Sequence, residues 1–284
     1  MPRNFVIQYS GREGSSAIIS ALSAQAGVNV PLLEELDSYE FLKTHSPKDY
    51  PQALDKVFTT GTFSGPRRKQ GYVQAKPADS KIETTGFKWR VSGHIPDIAI
   101  VLIQNKVTVF ALQRRDFLSY TCSIYIHKYG NQLQSDIDVA LHPHFEKAQE
   151  TKEGANSSQR LLMSQQDFPL VKHLFLKSAK EAISIRQQQA GKSKHLARAG
   201  VPVKMMYYED FDKHAEKFIG QTLSELGVDI GHSYSPYCGF EKVHKKPLAE
   251  RIFGIEKATG SWRFRLLERK YEDALKATKA LATP

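Results

Sequence analysis

The sequence predicts an α/β protein in which a central parallel β-sheet is covered by helices on both faces. Two observations support this fold class. Short apolar runs rich in β-branched and aromatic residues alternate with longer segments whose apolar residues recur at helical spacing. No repeat or low-complexity tract divides the 284-residue chain, so one domain over residues 1–284 is expected.

Four apolar runs are predicted as strands, and four longer segments are predicted as helices. The strands are 5–9, 86–91, 106–113 and 201–208. The helices are 15–25, 116–129, 169–190 and 212–226. Asp212 is expected to cap the last of these helices. Two stretches rich in Pro, Gly, Ser and Gln are predicted as loops or irregular insertions, namely 44–81 and 130–168.

Composition narrows the classes of partner. The chain carries 40 Lys and Arg against 30 Asp and Glu, and this excess predicts an acidic partner: nucleic acid, a membrane surface or a polyanionic small molecule. Cys122 and Cys238 form no CxxC motif, which argues against a disulfide scaffold or a thiolate zinc site and favours a reducing compartment. The longest aliphatic run, 98–103, is far shorter than the roughly 20 residues of a spanning helix. A cytoplasmic protein without a transmembrane segment is expected.

The segment SGREGSS (10–16) lies between the first predicted strand and the first predicted helix. Glycines let the backbone approach a ligand, an arginine adds a forked cation, and N–H groups at a helix start point toward an anion. The residues expected to bind an anion here are Gly11, Arg12, Glu13, Gly14, Ser15 and Ser16. The loop lacks the GK[ST] ending of a Walker P-loop and the GxGxxG of a dinucleotide site. The alternative is a plain strand–helix turn capped by serine.

A second anion site is predicted in LQRRDFLSYTCSIY (112–125). Arg115 lies at the end of a predicted strand, and Ser123 lies two turns along the helix that follows, where its hydroxyl could face the same anion. In the alternative interpretation, Asp116 caps the helix and the arginines are solvated.

These residues carry a resemblance to a known family. REGSS (12–16) resembles the R-S-G-S-S loop of bacterial and Golgi carbohydrate-type sulfotransferases, which use 3′-phosphoadenosine 5′-phosphosulfate (PAPS). Arg115 and Ser123 are eight residues apart, as in that family. YEDF (208–211) and EKATGSWR (256–263) are similar to its later strand end and to its C-terminal K-x-x-G-x-W-[KR] loop.

The resemblance implies a three-layer fold with a P-loop-like strand–loop–helix that binds PAPS and releases adenosine 3′,5′-bisphosphate. The loop would hold the 5′-phosphosulfate. The 3′-phosphate would be held by Arg115, Ser123, Lys257, Gly260, Ser261, Trp262 and Arg263. Gly260 is expected to form a tight turn. Segments 44–81 and 130–200 would vary with the acceptor and line its cleft.

The implied reaction moves a sulfuryl group to a hydroxyl acceptor, so the site must align donor and acceptor and neutralise charge on the leaving oxygen. Arg12 is expected to do this, assisted by Lys88, which resembles the family's lysine on a central strand. No metal is expected. The general base stays open between three residues, and a reaction without a base is a further alternative. Glu35 is favoured, Glu34 lies one residue out of register, and His94 resembles the histidine of the cytosolic aryl and steroid enzymes.

The resemblance favours a glycan, glycolipid or glycosylated metabolite as acceptor. A phenolic or lipid alcohol, with His94 as the base, is the second possibility. A basic nucleic-acid-binding protein is the alternative of another class, because basic clusters lie at 65–72, 191–200 and 241–251. No nucleic-acid-binding motif accompanies these clusters, so no nucleic-acid partner is expected.

Overall fold

The structure is a computed structural model. It describes residues 3–31, 36, 46–62, 81–138, 168–229 and 248–279. The chain divides into two compact units. The first unit comprises Met1–Arg115, Arg186–Phe240 and Ala274–Pro284, and the second comprises Asp116–Ile185 and Glu241–Asp273. The single domain over 1–284 stays a prediction.

The first unit is built on a parallel sheet of five strands. These are β1 (Asn4–Gln8), β2 (Val28–Asn29), β3 (Thr84–Trp89), β4 (Val107–Gln113) and β6 (Val203–Tyr207). They lie in the order β2-β3-β1-β4-β6, and every neighbouring pair is parallel. The predicted α/β class with a central parallel sheet is therefore confirmed. β2 was not predicted, because its two residues are too few to show a pattern.

Helices cover both faces of this sheet. The first unit contains α1 (Ser15–Ala24), α2 (Tyr50–Thr60), α3 (Ile95–Gln104), the part of α5 (Lys172–Arg198) from Arg186 onward, α6 (Tyr208–Lys213) and α7 (Ala215–Leu226). Along β1, Phe5 and Ile7 pack in one core with α1 and α7, whereas Val6 packs in the other with α2 and α3. All seven residues of β4 are buried, as expected for a strand covered on both faces. The sheet and the two helix layers form the three-layer arrangement expected from the sequence.

The second unit is held by an aromatic core. Its elements are α4 (Phe117–Asp138), β5 (Phe168–Pro169), the part of α5 before Arg186, β7 (Ile252–Phe253), α8 (Glu256–Thr259) and the part of α9 (Trp262–Lys279) up to Asp273. Phe117 of α4 stacks on Phe264 of α9 at 5.2 Å between ring centroids, and Phe175 of α5 stacks on the same ring at 5.7 Å. These contacts place α4 and the start of α9 in one packed unit.

The structure corrects several predicted elements. Segment 44–81 contains a helix, α2, whose buried residues Tyr50, Leu54, Val57 and Phe58 follow helical spacing. Two predicted helices are longer than expected. The helix predicted over 116–129 is α4 and continues to Asp138, and the helix predicted over 169–190 is α5 and continues to Arg198. The part of α5 after Arg186 carries buried residues that pack on the sheet, which stabilises it despite Gly191.

Asp212 does not cap a helix. It lies within α6, and His214 occupies the N-cap position of α7. The predicted helix 212–226 is thus two helices that meet at His214. Among the helices of the described residues, none is long and apolar enough to cross a membrane.

Candidate functional site

The loop between β1 and α1 has a left-handed backbone at three positions. Gly11 has a φ of 112°, Arg12 of 62° and Gly14 of 81°. Such a loop turns tightly and can direct successive backbone N–H groups toward an anion. It lies at the carboxyl edge of the sheet, where ligands bind in open parallel sheets.

Gly14 occupies the N-cap position of α1, and no side chain caps the helix. Ser15 and Ser16 are its first two residues. Serine therefore does not cap α1, and the role of the loop in anion binding stays a prediction. A second constraint acts on Gly14, because a Cβ atom there would lie 2.1 Å from ring carbons of Tyr208. Tyr208 begins α6, so the YEDF segment packs directly against the loop.

Lys88 brings a positive charge to the start of α1. It lies on β3 beside Ile7 of β1, and its side chain is half-buried. Its Nζ donates a hydrogen bond of 2.7 Å to Ser16 Oγ and lies 5.1 Å from the ring centroid of Tyr9. The structure therefore places two predicted site residues, Lys88 and Ser16, in direct contact. Arg12 is exposed on the loop itself.

The two arginines that follow β4 have different surroundings. Arg114 lies next to the loop: its Nη1 is 3.5 Å from the Arg12 carbonyl oxygen, and its guanidinium lies 4.7 Å from the ring centroid of Tyr208. Arg115 is directed to α6, where its backbone N–H donates to the Glu209 carboxylate and its guanidinium pairs with Asp210. Arg115 was predicted from the sequence as a site residue, but Arg114 was not.

Glu13 lies beneath the loop. Its side chain is fully buried, its Oε1 pairs with Arg186 Nη2 at 3.0 Å, and its Oε2 accepts a 2.8 Å hydrogen bond from the Ser10 backbone N–H. Burial raises the pKa of Glu13 to about 7, although Arg186 and Arg114 both lower it. The carboxyl group therefore faces the interior and contacts the loop backbone from within.

The candidate bases are placed only in part. His94 occupies the N-cap position of α3, its side chain is 69% exposed, and its Nδ1 lies 3.0 Å from Asp97 Oδ2. Glu34 and Glu35 lie outside the described residues. Among the described residues, no cluster of three or more His, Cys, Asp or Glu could hold a metal ion.

Ser123 and segment 257–263 belong to the second unit, whereas Arg115 belongs to the first. Ser123 is half-buried on α4 and Lys257 is exposed on α8. Gly260 lies in the short turn between α8 and α9, as expected, and its ordinary helical φ of −65° shows that this turn needs no left-handed backbone. The 3′-phosphate site as a group stays a prediction.

The residues around the start of α9 are exposed. Trp262 is 68% exposed, and the Arg263 guanidinium lies 5.5 Å from its ring centroid. Ser261 Oγ donates to the Ala258 carbonyl and accepts from the Phe264 N–H, which caps α9. An exposed aromatic face beside a guanidinium group is suited to stacking on a nucleotide base.

The structure describes the three basic clusters only in part. Segment 191–200, predicted as a basic loop, is largely helical, and Lys192 Nζ donates to the Arg90 carbonyl. Cluster 65–72 and residues 241–247 of the third cluster lie outside the described residues. A cavity of about 290 Å³ lies along β6, α6 and α7, and the loop residues do not line it.

Comparisons with known proteins show a structural likeness. No protein-family model matches the chain, and a search of curated proteins gives no match. Among solved structures, a crystal structure of a sulfotransferase from Alicyclobacillus acidocaldarius is similar with a TM-score of 0.48 and 15% identity, over 99% of this chain and 96% of that one. At this identity the likeness assigns no activity to the chain.

Proposed function

We propose that this protein is a PAPS-dependent sulfotransferase. The observation that carries the proposal is the contact of the Lys88 ammonium group with Ser16 at the start of α1, beside the left-handed Gly11–Arg12 backbone. This arrangement collects two cations and a helix N-terminus at the carboxyl edge of the sheet. Such a site is suited to a donor with an anionic group at its reacting end.

In the proposed reaction, the donor supplies an activated sulfuryl group. The bond from sulfur to the phosphate oxygen breaks, the bond from sulfur to the acceptor oxygen forms, and the acceptor's proton passes to a base. Negative charge grows on the leaving phosphate oxygen, and fixed cations beside it lower the barrier. Arg12 and Lys88 have this role, while Ser16 orients the Lys88 ammonium group.

The 3′-phosphate of the donor is proposed to bind Arg115, Ser123 and the segment from Lys257 to Arg263. Arg115 is 48% exposed and held by Asp210, so a phosphate would share its guanidinium with that carboxylate. The exposure of Trp262 and Arg263 supports a role for this segment in ligand binding. We add Arg114 to the cations that act at the loop, because it adjoins the Arg12 carbonyl.

The acceptor is proposed to be a hydroxyl group of a glycan, glycolipid or glycosylated metabolite, with Glu35 as the base. One observation favours the second candidate, a phenolic or lipid alcohol. The contact of His94 with Asp97 can hold the imidazole in one tautomer and leave its Nε2 to accept a proton. The nucleic-acid-binding alternative is not preferred, because no nucleic-acid-binding motif accompanies the basic segment 191–200, which is mainly helix with Leu196 in the core and Lys194 and Arg198 exposed.

The proposal is tested by transfer of labelled sulfuryl from PAPS to matched sugar, phenol and aliphatic alcohol acceptors. We expect transfer to sugars above all. Transfer to phenols alone would overturn the glycan proposal but leave the sulfotransferase intact. The absence of transfer to any acceptor, together with the absence of PAPS binding, would overturn the proposed function.

A further inference from the structure

The anion loop is folded around its own carboxylate. Glu13 accepts the Ser10 N–H inside the loop, while the neighbouring Arg12 and Gly14 adopt left-handed φ values of 62° and 81°. The Glu13 side chain therefore fixes the turn from within. Its other oxygen contacts Arg186, far away in the sequence.

Arg186 belongs to a buried polar face of α5. Arg186, Gln189 and Ser193 are spaced to lie on one side of the helix, and all three are at most 1% exposed. Arg186 Nη1 donates to Gln189 Oε1 at 2.6 Å. Gln189 Nε2 donates to the carbonyls of Gln8 at 3.1 Å and Leu112 at 2.7 Å, and Ser193 Oγ donates to Gln8 Oε1 at 2.8 Å. This face thus holds the last residue of β1, the end of β4 and the loop together.

An ion pair buried this deeply is a poor way to stabilise a fold. Desolvation of the two charges offsets most of their attraction, and apolar residues of similar volume often stabilise a core equally well. The pair does have a specific consequence for the loop, because it sets where the chain turns from β1 to α1. It also neutralises a carboxylate that would otherwise repel an anion bound above it.

We propose that Glu13 and Arg186 are positioning residues that hold the loop in the conformation that binds the donor's anionic group. The inference rests on the proposed function and deepens it. Neither side chain is exposed, so the pair acts through the loop backbone and does not touch the ligand. The charged groups that act on Glu13 are Arg186 and Arg114, on α5 and at the end of β4.

The test separates folding from positioning with the double variant Glu13→Gln/Arg186→Met. It removes both charges and nearly conserves volume, so at pH 8, above the pKa of Glu13, it should fold with a higher Tm than Glu13→Gln alone, which keeps the buried Arg186 charge but removes the carboxylate charge opposite it. Its affinity for adenosine 3′,5′-bisphosphate, measured by calorimetry well below Tm, should fall at least about tenfold, because small displacements of binding groups are costly. Leu54→Ala is the control, since it opens a cavity in the core under α2 and should leave the affinity unchanged.

The affinities of the double variant and of Leu54→Ala together decide whether Glu13 and Arg186 position the loop. Wild-type affinity in the folded double variant would overturn positioning and leave the sulfotransferase proposal standing. An equal loss of affinity in Leu54→Ala would also overturn it, because general destabilisation would then explain the effect. If the wild-type protein does not bind the nucleotide, the proposed function fails, and inorganic pyrophosphate becomes the probe. Loss of pyrophosphate binding in the double variant would support the positioning role, whereas retained binding, or no binding by the wild type, would overturn it.

Discussion

Replacing Gly14 by alanine tests the packing that joins the loop to the YEDF segment. At a φ of 81°, an alanine costs about 1–2 kcal/mol because its Cβ crowds the backbone. The new Cβ would also lie 2.1 Å from the Tyr208 ring, and overpacking of this kind costs about 1–3 kcal/mol more. The expected loss in the free energy of unfolding is therefore about 2–5 kcal/mol.

Gly27 provides a matched control. Its φ of 74° is nearly the same, but a Cβ there would meet no atom closer than 3.4 Å, at Glu83. Gly27→Ala should therefore show the backbone cost alone. The free energy of unfolding of both variants is measured with denaturant, provided that its slope against denaturant concentration is unchanged. The difference between the two losses is then the cost of the contact with the Tyr208 ring. Equal losses in the two variants would refute the contact between Tyr208 and Gly14.

Three further predictions concern charge and catalysis. Lys88→Met keeps the side-chain stem but removes the ammonium group, so turnover should fall about a hundredfold, and an unchanged kcat would exclude Lys88 from charge stabilisation. Burial raises the pKa of Glu13 from 4.5 to about 7, so between these pH values the folded state binds more protons than the unfolded state. The free energy of unfolding should therefore fall by up to about 3 kcal/mol as the pH rises from 4.5 to about 7. This slope should disappear in Glu13→Gln, and a slope that persists there would assign it to another group. Glu35→Gln should reduce turnover about a hundredfold or more while nucleotide binding is kept, and His94→Ala should do much less; the reverse pattern would move the base to His94.

The strands were largely predictable because the apolar residues that make each strand buried follow one another in the sequence. The predicted strands 86–91 and 106–113 correspond to Thr84–Trp89 and Val107–Gln113, within two residues at each end. Apolar, β-branched runs of this length have few stable alternatives to a covered sheet. In contrast, α2 was not predicted, because Pro51 and Gly61 are residue types typical of loops. In the structure, Pro51 lies in the first turn of the helix and Gly61 ends it.

The site was predictable where a motif and a strand end coincide. The loop residues Gly11, Arg12 and Gly14 lie between the predicted strand and helix, and Lys88 contacts Ser16, at the start of that helix, from the adjacent strand. The pair of Glu13 and Arg186 could not be predicted, because tertiary packing of α5 joins residues that are distant in the sequence.

The two arginines after β4 show a further limit of sequence reasoning. Their order along the chain does not tell which side chain turns toward the loop. The contacts of Arg115 with Glu209 and Asp210 decide this, and leave Arg114 beside Arg12.

The most direct test of the account needs no acceptor: it compares the thermal unfolding of the protein with adenosine 3′,5′-bisphosphate and with AMP, which lacks the 3′-phosphate. A ligand at 100 times its Kd stabilises the folded state by about 2.7 kcal/mol. We predict a clear rise in Tm with the bisphosphate at concentrations where AMP produces little, and a smaller rise in an Arg12→Ala variant. Equal shifts with the two nucleotides, or no shift with either, would contradict a site built for a 3′-phosphorylated sulfuryl donor.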